Sequence, residues 1–204
     1  MTALSVALTG NPNTGKSTIF NELTGAHQKI GNWPGVTVDK KVGTIEYKGR
    51  MISVVDLPGT YSINAHSQEE VVVSDYFRNN KPDIVVNIVD ASNIERNLFL
   101  TIQLMENGIP LIINLNMMDE AERHGVVIDK KKLEAAFGMP VTETIGRSSK
   151  STKKLLDVFT STVMSSYKPS ELLEQHIAKV ERLQHSGLAA DQIEEEIVCR
   201  AGRN

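Results

Sequence analysis

Short apolar runs recur along the chain and predict the strands of a sheet. They occupy residues 4–8, 52–55, 84–89 and 111–115, with a shorter run at 140–142. Continuous apolar runs are typical of strands that are buried on both faces. Residues 42–47 predict one further strand, which joins residues 52–55 through Lys48-Gly49-Arg50. Because that short turn has a central glycine, it indicates a hairpin, and this edge strand should run antiparallel.

Segments with helical spacing lie between most of these strands. Residues 94–107 predict a helix closed by Gly108, and residues 132–137 predict a short helix that ends at Gly138. A further helix is marked by the apolar stripe Leu155, Leu156, Phe159 and Val163. The alternation predicts an α/β protein of three layers, with a mostly parallel six-stranded sheet and one antiparallel edge strand.

The last part of the chain has a different pattern. Two weaker helical stripes follow Pro169, formed by Leu172, Leu173, Ile177, Val180 and Leu183 and then by Ile193, Ile197 and Val198. Two short amphipathic helices cannot bury their apolar faces against each other alone. We therefore expect a main domain over residues 1–168 and a short helical tail over 169–204, which packs on the domain or promotes self-association.

Composition narrows the class of protein. The chain has 204 residues, 22 Lys and Arg against 25 Asp and Glu, and a formal net charge of -3, so it has no overall basic field for nucleic acid. One cysteine, Cys199, allows no internal disulfide and fits a reducing compartment. No apolar run approaches the ~18 residues of a membrane helix, and no signal peptide is evident. A soluble cytoplasmic domain is expected.

The first predicted strand is followed by a phosphate-binding motif. Residues 10–17 read Gly-Asn-Pro-Asn-Thr-Gly-Lys-Ser and lead into the first helix. Such a loop directs backbone N–H groups, a lysine and the positive end of a helix at phosphate oxygens, and its hydroxyl can hold Mg²⁺. The predicted nucleotide contacts in this loop are Asn13, Thr14, Gly15, Lys16, Ser17 and Thr18.

Two more motifs stand at the ends of predicted strands. Asp56-Leu57-Pro58-Gly59 follows one strand, and Asn116-Met117-Met118-Asp119 follows another. Alone, the first is compatible with a simple turn and the second with a helix cap. In this order, at the ligand-binding edge of an α/β sheet, they indicate a GTPase. Asp56 would hold Mg²⁺ through water, the N–H of Gly59 would reach the γ-phosphate, and the Asp119 carboxylate would accept from guanine, whose donors adenine lacks.

The segment 29–38 is rich in Gly and Pro and is predicted to be a mobile loop. Thr37 is the candidate second hydroxyl for Mg²⁺, with a β-branched residue that opens a strand as the alternative. Trp33 is the only tryptophan, and we expect it to cover the nucleotide or bind a partner, with simple packing as the alternative.

These motifs resemble the soluble N-terminal G domain of the bacterial ferrous-iron transport protein B (FeoB) family. The likeness covers residues 4–168 and is strongest at residues 30–38 and 89–98, in the Gly-Asn-Trp-Pro-Gly-Val-Thr and Val-Asp-Ala-Ser-Asn segments. The resemblance implies a Ras-like P-loop GTPase fold on the cytoplasmic face of the inner membrane. It also implies a multi-pass membrane domain in the same polypeptide, which carries Fe²⁺ inward at the expense of GTP.

The resemblance also implies a K⁺ site, with the Asn13 side chain and the backbone carbonyls of Gly31 and Trp33 as ligands. Thr60 stands where Ras-like proteins carry a glutamine, so another charge stabiliser is needed in the transition state. The predicted mechanism is attack of water on the γ-phosphate, with Lys16 and Mg²⁺ stabilising charge and the N–H groups near Gly59 and Thr37 positioning the water.

Two parts of the chain depart from the family. The last base contact should come from a loop after the final strand, here Gly146, Arg147 and Ser148, whose residues are atypical and suggest fast nucleotide release. The tail is too short for the helical bundle that usually follows the G domain. Two other functions remain open from the sequence: a soluble GTPase that acts on RNA or the ribosome, and a regulatory module with slow hydrolysis.

Overall fold

The described part of the chain forms one mixed sheet of seven strands. The computed structural model describes residues 3–64, 67–145 and 149–162. The strands are β1 (Leu4–Gly10), β2 (Gln28–Asn32), β3 (Asp39–Tyr47), β4 (Arg50–Asp56), β5 (Ile84–Asp90), β6 (Leu111–Asn116) and β7 (Val141–Glu143). Their order is β2-β3-β4-β1-β5-β6-β7. All neighbours are parallel except that β3 runs antiparallel to both β2 and β4.

Helices cover both faces of this sheet. They are α1 (Lys16–Thr24), α2 (Gln68–Asn79), α3 (Ile94–Glu106), α4 (Met118–Arg123), α5 (Lys130–Phe137) and α6 (Ser149–Thr162). One core lies between the sheet and α1 and α6, where Phe20 and Phe159 are fully buried. The other lies under α2, α3 and α4, where Leu100 and Leu104 are fully buried. The predicted three-layer α/β class is therefore confirmed.

The sheet differs from the prediction at its edge. It has seven strands in the described residues rather than six, because residues 28–32 form β2 although we predicted residues 29–38 as a mobile loop. The reversed strand β3 is consequently an inner strand and β2 the edge. Most of β2 is exposed, and its pairing to β3 rests on the backbone, so no apolar run marks it in the sequence.

The prediction also omitted the helix α2. Ser67 caps it by accepting from the Glu70 N–H while the Glu70 carboxylate accepts from the Ser67 N–H. This capping box directly precedes the apolar residues 71–73, a recognisable start signal for a helix. Val163 of the predicted stripe and the whole tail 169–204 lie outside the described residues, so the two-part domain division stays a prediction.

Candidate functional site

A cleft of about 680 Å³ opens where β1 passes into α1. The described residues that line it include Asn11, Pro12, Asn13, Gly15, Lys16, Ser17, Thr18, Gly59, Thr60, Tyr61, Ser67, Glu69 and Glu70. The structure thus brings most of the predicted phosphate-loop residues to one cleft. Thr14 lies beneath it, 1% exposed, and its hydroxyl donates to the Asn11 carbonyl at 3.0 Å.

Lys16 and Asp56 form a buried ion pair in this cleft. The Lys16 Nζ lies 2.5 Å from Asp56 Oδ1, and the Ser17 hydroxyl donates to Asp56 Oδ2 at 3.2 Å. The two ion-paired side chains are 9% and 5% exposed. Because a buried charge is costly without a partner, the lysine and the carboxylate stabilise each other in this structure. A bound phosphate would have to draw Lys16 away from Asp56.

A second cleft of about 370 Å³ adjoins the first. The predicted magnesium residues Ser17, Thr37 and Asp56 line it together with Lys16 and Gly59. Hydroxyl and carboxylate oxygens are the hard ligands that Mg²⁺ prefers, so this donor set fits that ion.

Gly59 holds the segment after β4 close to the phosphate loop. A Cβ atom at this position would lie 3.1 Å from the Cα of Pro12, and the adjacent Thr60 N–H donates to the Gly10 carbonyl at 3.1 Å. The Thr60 side chain is 2% exposed, and its hydroxyl donates to the Ser62 carbonyl at 2.5 Å. The Thr60 hydroxyl is therefore engaged within its own loop.

The predicted base-recognition segment starts at the end of β6. Asn116 is buried and donates from Nδ2 to the Thr14 carbonyl at 2.9 Å. Its amide lies so close to Gly15 that a Cβ there would come within 2.3 Å of Nδ2, and Gly15 also has φ +81°. Only glycine fits this position. The phosphate loop and the base-recognition strand are therefore in direct contact.

Asp119 lies in the first turn of α4, after Met117 with φ 60°. Its side chain is 51% exposed, and Arg123 Nη2 lies 3.3 Å from Asp119 Oδ2 and 2.6 Å from Glu120 Oε2. The carboxylate thus remains accessible for a base. The other predicted base contacts, Gly146, Arg147 and Ser148, lie outside the described residues.

The Val-Asp-Ala-Ser-Asn segment supports α4 from below. It ends β5 and forms one turn of 3-10 helix at Ala91–Asn93, against which α4 packs. The Asp90 carboxylate accepts from the Ser92 N–H at 2.9 Å, from the Ser92 hydroxyl at 2.7 Å and from Asn93 Nδ2 at 3.0 Å. Burial opposes ionisation here, but these hydrogen bonds outweigh it and lower the pKa of Asp90. These bonds therefore stabilise the turn against which α4, the helix that carries Asp119, packs.

Trp33 is placed differently from our expectation. Its ring is 8% exposed in the core under α2, edge-on to Tyr76 with centroids 5.8 Å apart, and Lys40 Nζ lies 4.6 Å from its centroid. In this conformation it lines neither of the two described clefts, and its burial matches the packing alternative. Gly31 lies in β2, and the Trp33 carbonyl accepts from the Val36 N–H at 3.3 Å. Of the three predicted K⁺ ligands, Asn13 alone is among the described residues that line the two clefts.

Sequence reasoning missed four charged residues that line the clefts: Glu69, Glu70, Asp39 and Lys41. Glu69 lines both clefts, and Lys41 lines the second, opposite Asp56 in the β3–β4 register. Glu69 could have been placed by the capping box that starts α2. Lys41 could have been placed by the hairpin register, which sets it across from the carboxylate.

The fold and the site together define a P-loop GTPase domain of the Ras-like type. A family model for ferrous iron transport protein B matches residues 4–159. The chain belongs to the ferrous iron transport protein B family, and the matched region is its N-terminal G domain.

Individual relatives agree with this assignment. The Fe(2+) transport protein A/Fe(2+) transporter FeoB fusion protein of Porphyromonas gingivalis is 45% identical over 159 residues, which cover 78% of this chain and 19% of the relative. The G domain of FeoB from Methanococcus jannaschii is 46% identical, with a TM-score of 0.70 over 81% of this chain and 100% of that one. The GDP form I of the T. maritima FeoB cytosolic domain is 34% identical, with a TM-score of 0.78 over 93% and 76%.

The chain therefore spans about a fifth of the length of the curated relatives it matches. Within the part that the structure describes, no helix is long and apolar enough to cross a bilayer.

Proposed function

We propose that this domain binds GTP with Mg²⁺ and hydrolyses it to GDP and phosphate. The observation that carries the proposal is the meeting of Lys16, Ser17, Thr37, Asp56 and Gly59 at two adjoining clefts. The Lys16–Asp56 pair keeps both side chains in place until a phosphate takes the lysine and frees the carboxylate.

Different residues would serve nucleotide binding and catalysis. Lys16 and the N–H groups at the start of α1 bind the phosphates. Asp119 accepts from the guanine donors. Asn116 connects the base-recognition segment to the phosphate loop through the Thr14 carbonyl. Mg²⁺, when bound through Ser17, Thr37 and Asp56, would neutralise charge on the phosphates. The N–H groups near Thr37 and Gly59 would position the attacking water, because Thr60 stands where a Ras-like protein carries a glutamine and its hydroxyl is engaged with Ser62.

Because Thr60 is buried and engaged with Ser62, a further positive charge is needed beside the transferred phosphate. We propose K⁺ held by the Asn13 side chain, which lines the first cleft with φ 67°. In this structure the Gly31 and Trp33 carbonyls do not line the clefts, so the proposal for them needs a rearrangement of residues 29–38.

Replacing Na⁺ with K⁺ at fixed ionic strength should speed GTP hydrolysis about tenfold or more, a modest part of what a transition-state cation supplies. Asn13→Ala should remove the difference between the salts, measured as phosphate release at saturating GTP. Asn79→Ala, which changes an exposed asparagine at the end of α2 and outside the clefts, is the matched control and should keep the response. Equal, non-zero rates in both salts for the native chain would contradict the K⁺ proposal and support the proposal of GTP hydrolysis.

We further propose that this domain acts at the cytoplasmic face of the bacterial inner membrane. There it would couple GTP turnover to Fe²⁺ uptake through a membrane domain of the same polypeptide. Two observations support this: the family assignment, and the fact that the matched relatives are about five times longer than the matched region. The described residues contain no group of three or more His, Cys, Asp or Glu side chains that could hold a metal ion, so the Fe²⁺ path is assigned elsewhere.

Fractionation of native cells with an antibody to this chain tests the transport proposal. We expect a membrane band far heavier than a 204-residue protein and, in those cells, Fe²⁺ uptake that stops when Lys16 is replaced. A soluble band of 204-residue size would overturn the transport proposal and favour a free-standing GTPase. The predicted self-association through residues 169–204 stays a prediction that the mass of the isolated domain in solution would check.

A further inference from the structure

A buried chain of side-chain hydrogen bonds runs from β7 across β6 to the phosphate loop. The Thr142 hydroxyl donates to Asn114 Oδ1 at 2.8 Å, and Asn114 Nδ2 donates to the Thr144 hydroxyl at 2.9 Å. The Thr144 hydroxyl donates to Asn116 Oδ1 at 2.8 Å, and Asn116 Nδ2 donates to the Thr14 carbonyl at 2.9 Å. We call Thr142, Asn114 and Thr144 the relay.

The Thr14 carbonyl, at one end of this series of hydrogen bonds, fixes the donor and the acceptor of every bond in the series. A carbonyl oxygen only accepts, so Asn116 must turn its NH₂ group to Thr14 and its Oδ1 to Thr144. Thr144 then has to donate to Asn116, which leaves its lone pairs for Asn114. Asn114 in turn must present Oδ1 to Thr142. Each amide therefore has one consistent orientation. Removing either threonine hydroxyl leaves the neighbouring amide groups without a hydrogen-bond partner, so that their orientation is no longer fixed.

The relay lies in the buried interior, where a polar side chain without a hydrogen-bond partner is costly. Asn114 and Thr144 are fully buried, and Thr142 is 5% exposed, where β6 pairs with β7. Thr142 stands opposite Asn114 in the β6–β7 register, and Thr144 directly follows the last residue of β7. A buried polar group without a partner is costly, so these side chains persist only as a connected set.

The far end of the relay reaches the parts of the site that hold a nucleotide. The Thr14 carbonyl belongs to the phosphate loop, directly before Gly15 and Lys16, and the Asn116 amide packs against Gly15. Thr144 directly precedes residues 145–148, in which the predicted base contact lies. One hydroxyl thus connects the strand end before the base loop to the loop that binds phosphate.

We propose that Thr142, Asn114 and Thr144 are positioning residues that hold Asn116 on the phosphate loop and thereby slow nucleotide release. The proposal rests on the guanine-nucleotide site proposed above. The relay does not touch the nucleotide; it acts by fixing the orientation of the Asn116 amide. Without it, Asn116 can rotate, and the phosphate loop and the base segment can separate more easily.

The test is the dissociation rate of the fluorescent analogue mant-GDP, with unfolding measured on the same samples. Thr144→Val keeps the shape but removes the hydroxyl, and release should become about tenfold faster, the equivalent of one lost hydrogen bond. Thr144→Ser restores the hydroxyl and should return release to near the native rate. Thr142→Val acts one amide further away and should give a smaller increase.

Thr101→Val is the matched control. Thr101 accepts from Asn87 Nδ2 at 2.7 Å, a buried asparagine–threonine bond between α3 and β5 that is not part of the chain leading to Asn116. The Thr101→Val variant should lower the free energy of unfolding about as much as Thr144→Val does, and it should leave the mant-GDP dissociation rate unchanged. Native release from Thr144→Val, or equal acceleration by Thr101→Val, would overturn the relay; if Thr144→Val does not fold, Thr142→Val decides in the same way. Failure of the native chain to bind mant-GDP would instead overturn the guanine-nucleotide site, and the relay proposal with it.

Discussion

Lys16→Ala is expected to weaken GTP binding by about a hundredfold or more, the usual loss when one partner of a buried charge pair is removed. Among the described residues, the lysine is the one cation that both lines the first cleft and lies at the start of α1, where the phosphates would meet it. Titration with mant-GTP measures the change. Lys131→Ala, which alters an exposed lysine on α5, is the control and should bind as the native chain does.

This variant also leaves Asp56 buried without its cation, which should lower the free energy of unfolding by about 3–5 kcal/mol. The double variant Lys16→Ala, Asp56→Asn removes both charges and should regain much of that stability without regaining affinity. Denaturation and binding measured together therefore separate the two roles of Lys16. Retention of native GTP affinity by the well-folded double variant would contradict the phosphate-binding role.

Asp119→Asn is expected to weaken GDP binding by about a hundredfold or more and to favour xanthine nucleotides. Guanine presents two adjacent donors to the carboxylate, and an amide can satisfy only one of them. Xanthine carries an acceptor at the second position, so the amide introduced by the substitution would pair with it. Competition of GDP and XDP against a fluorescent nucleotide measures the switch.

The control for this change is Glu120→Gln. Glu120 is the neighbouring carboxylate on α4 and shares the contact with Arg123, so its removal alters the local charge by the same amount. It should leave the preference for guanine intact. An Asp119→Asn variant that still prefers GDP would refute the base-reading role of the carboxylate.

The sequence was sufficient to place the residues that directly follow a strand. The phosphate loop, Asp56 and Asn116 each follow an apolar run directly, and parallel strands end at one edge, so their convergence needed no knowledge of distant contacts. The order of the motifs further indicated the fold class and the family, both of which are confirmed.

The residues that were misjudged depend on contacts between distant parts of the chain. Trp33 is buried because Tyr76 of α2 lies beside it, and nothing in residues 29–38 encodes that neighbour. β2 is held by backbone pairing at an exposed edge, so its side chains carry little of the signal that marks a strand. The ion pair of Lys16 with Asp56 was missed for a related reason: both side chains had been assigned to ligands, and in this structure they satisfy each other.

The strand order also places different parts of the site on strands that differ in how deeply they are buried. The phosphate loop and Asn116 extend from β1 and β6, inner strands in which most residues are buried. Thr37 lies between the edge strand β2 and its neighbour β3, most of whose residues are exposed or only partly buried. Segments with little buried area open by small fluctuations, while inner strands open only when the whole domain unfolds. The proposed phosphate-binding and base-binding residues thus extend from well-buried strands, and the proposed γ-phosphate contact at Thr37 lies in a segment that should reorganise at a lower free-energy cost.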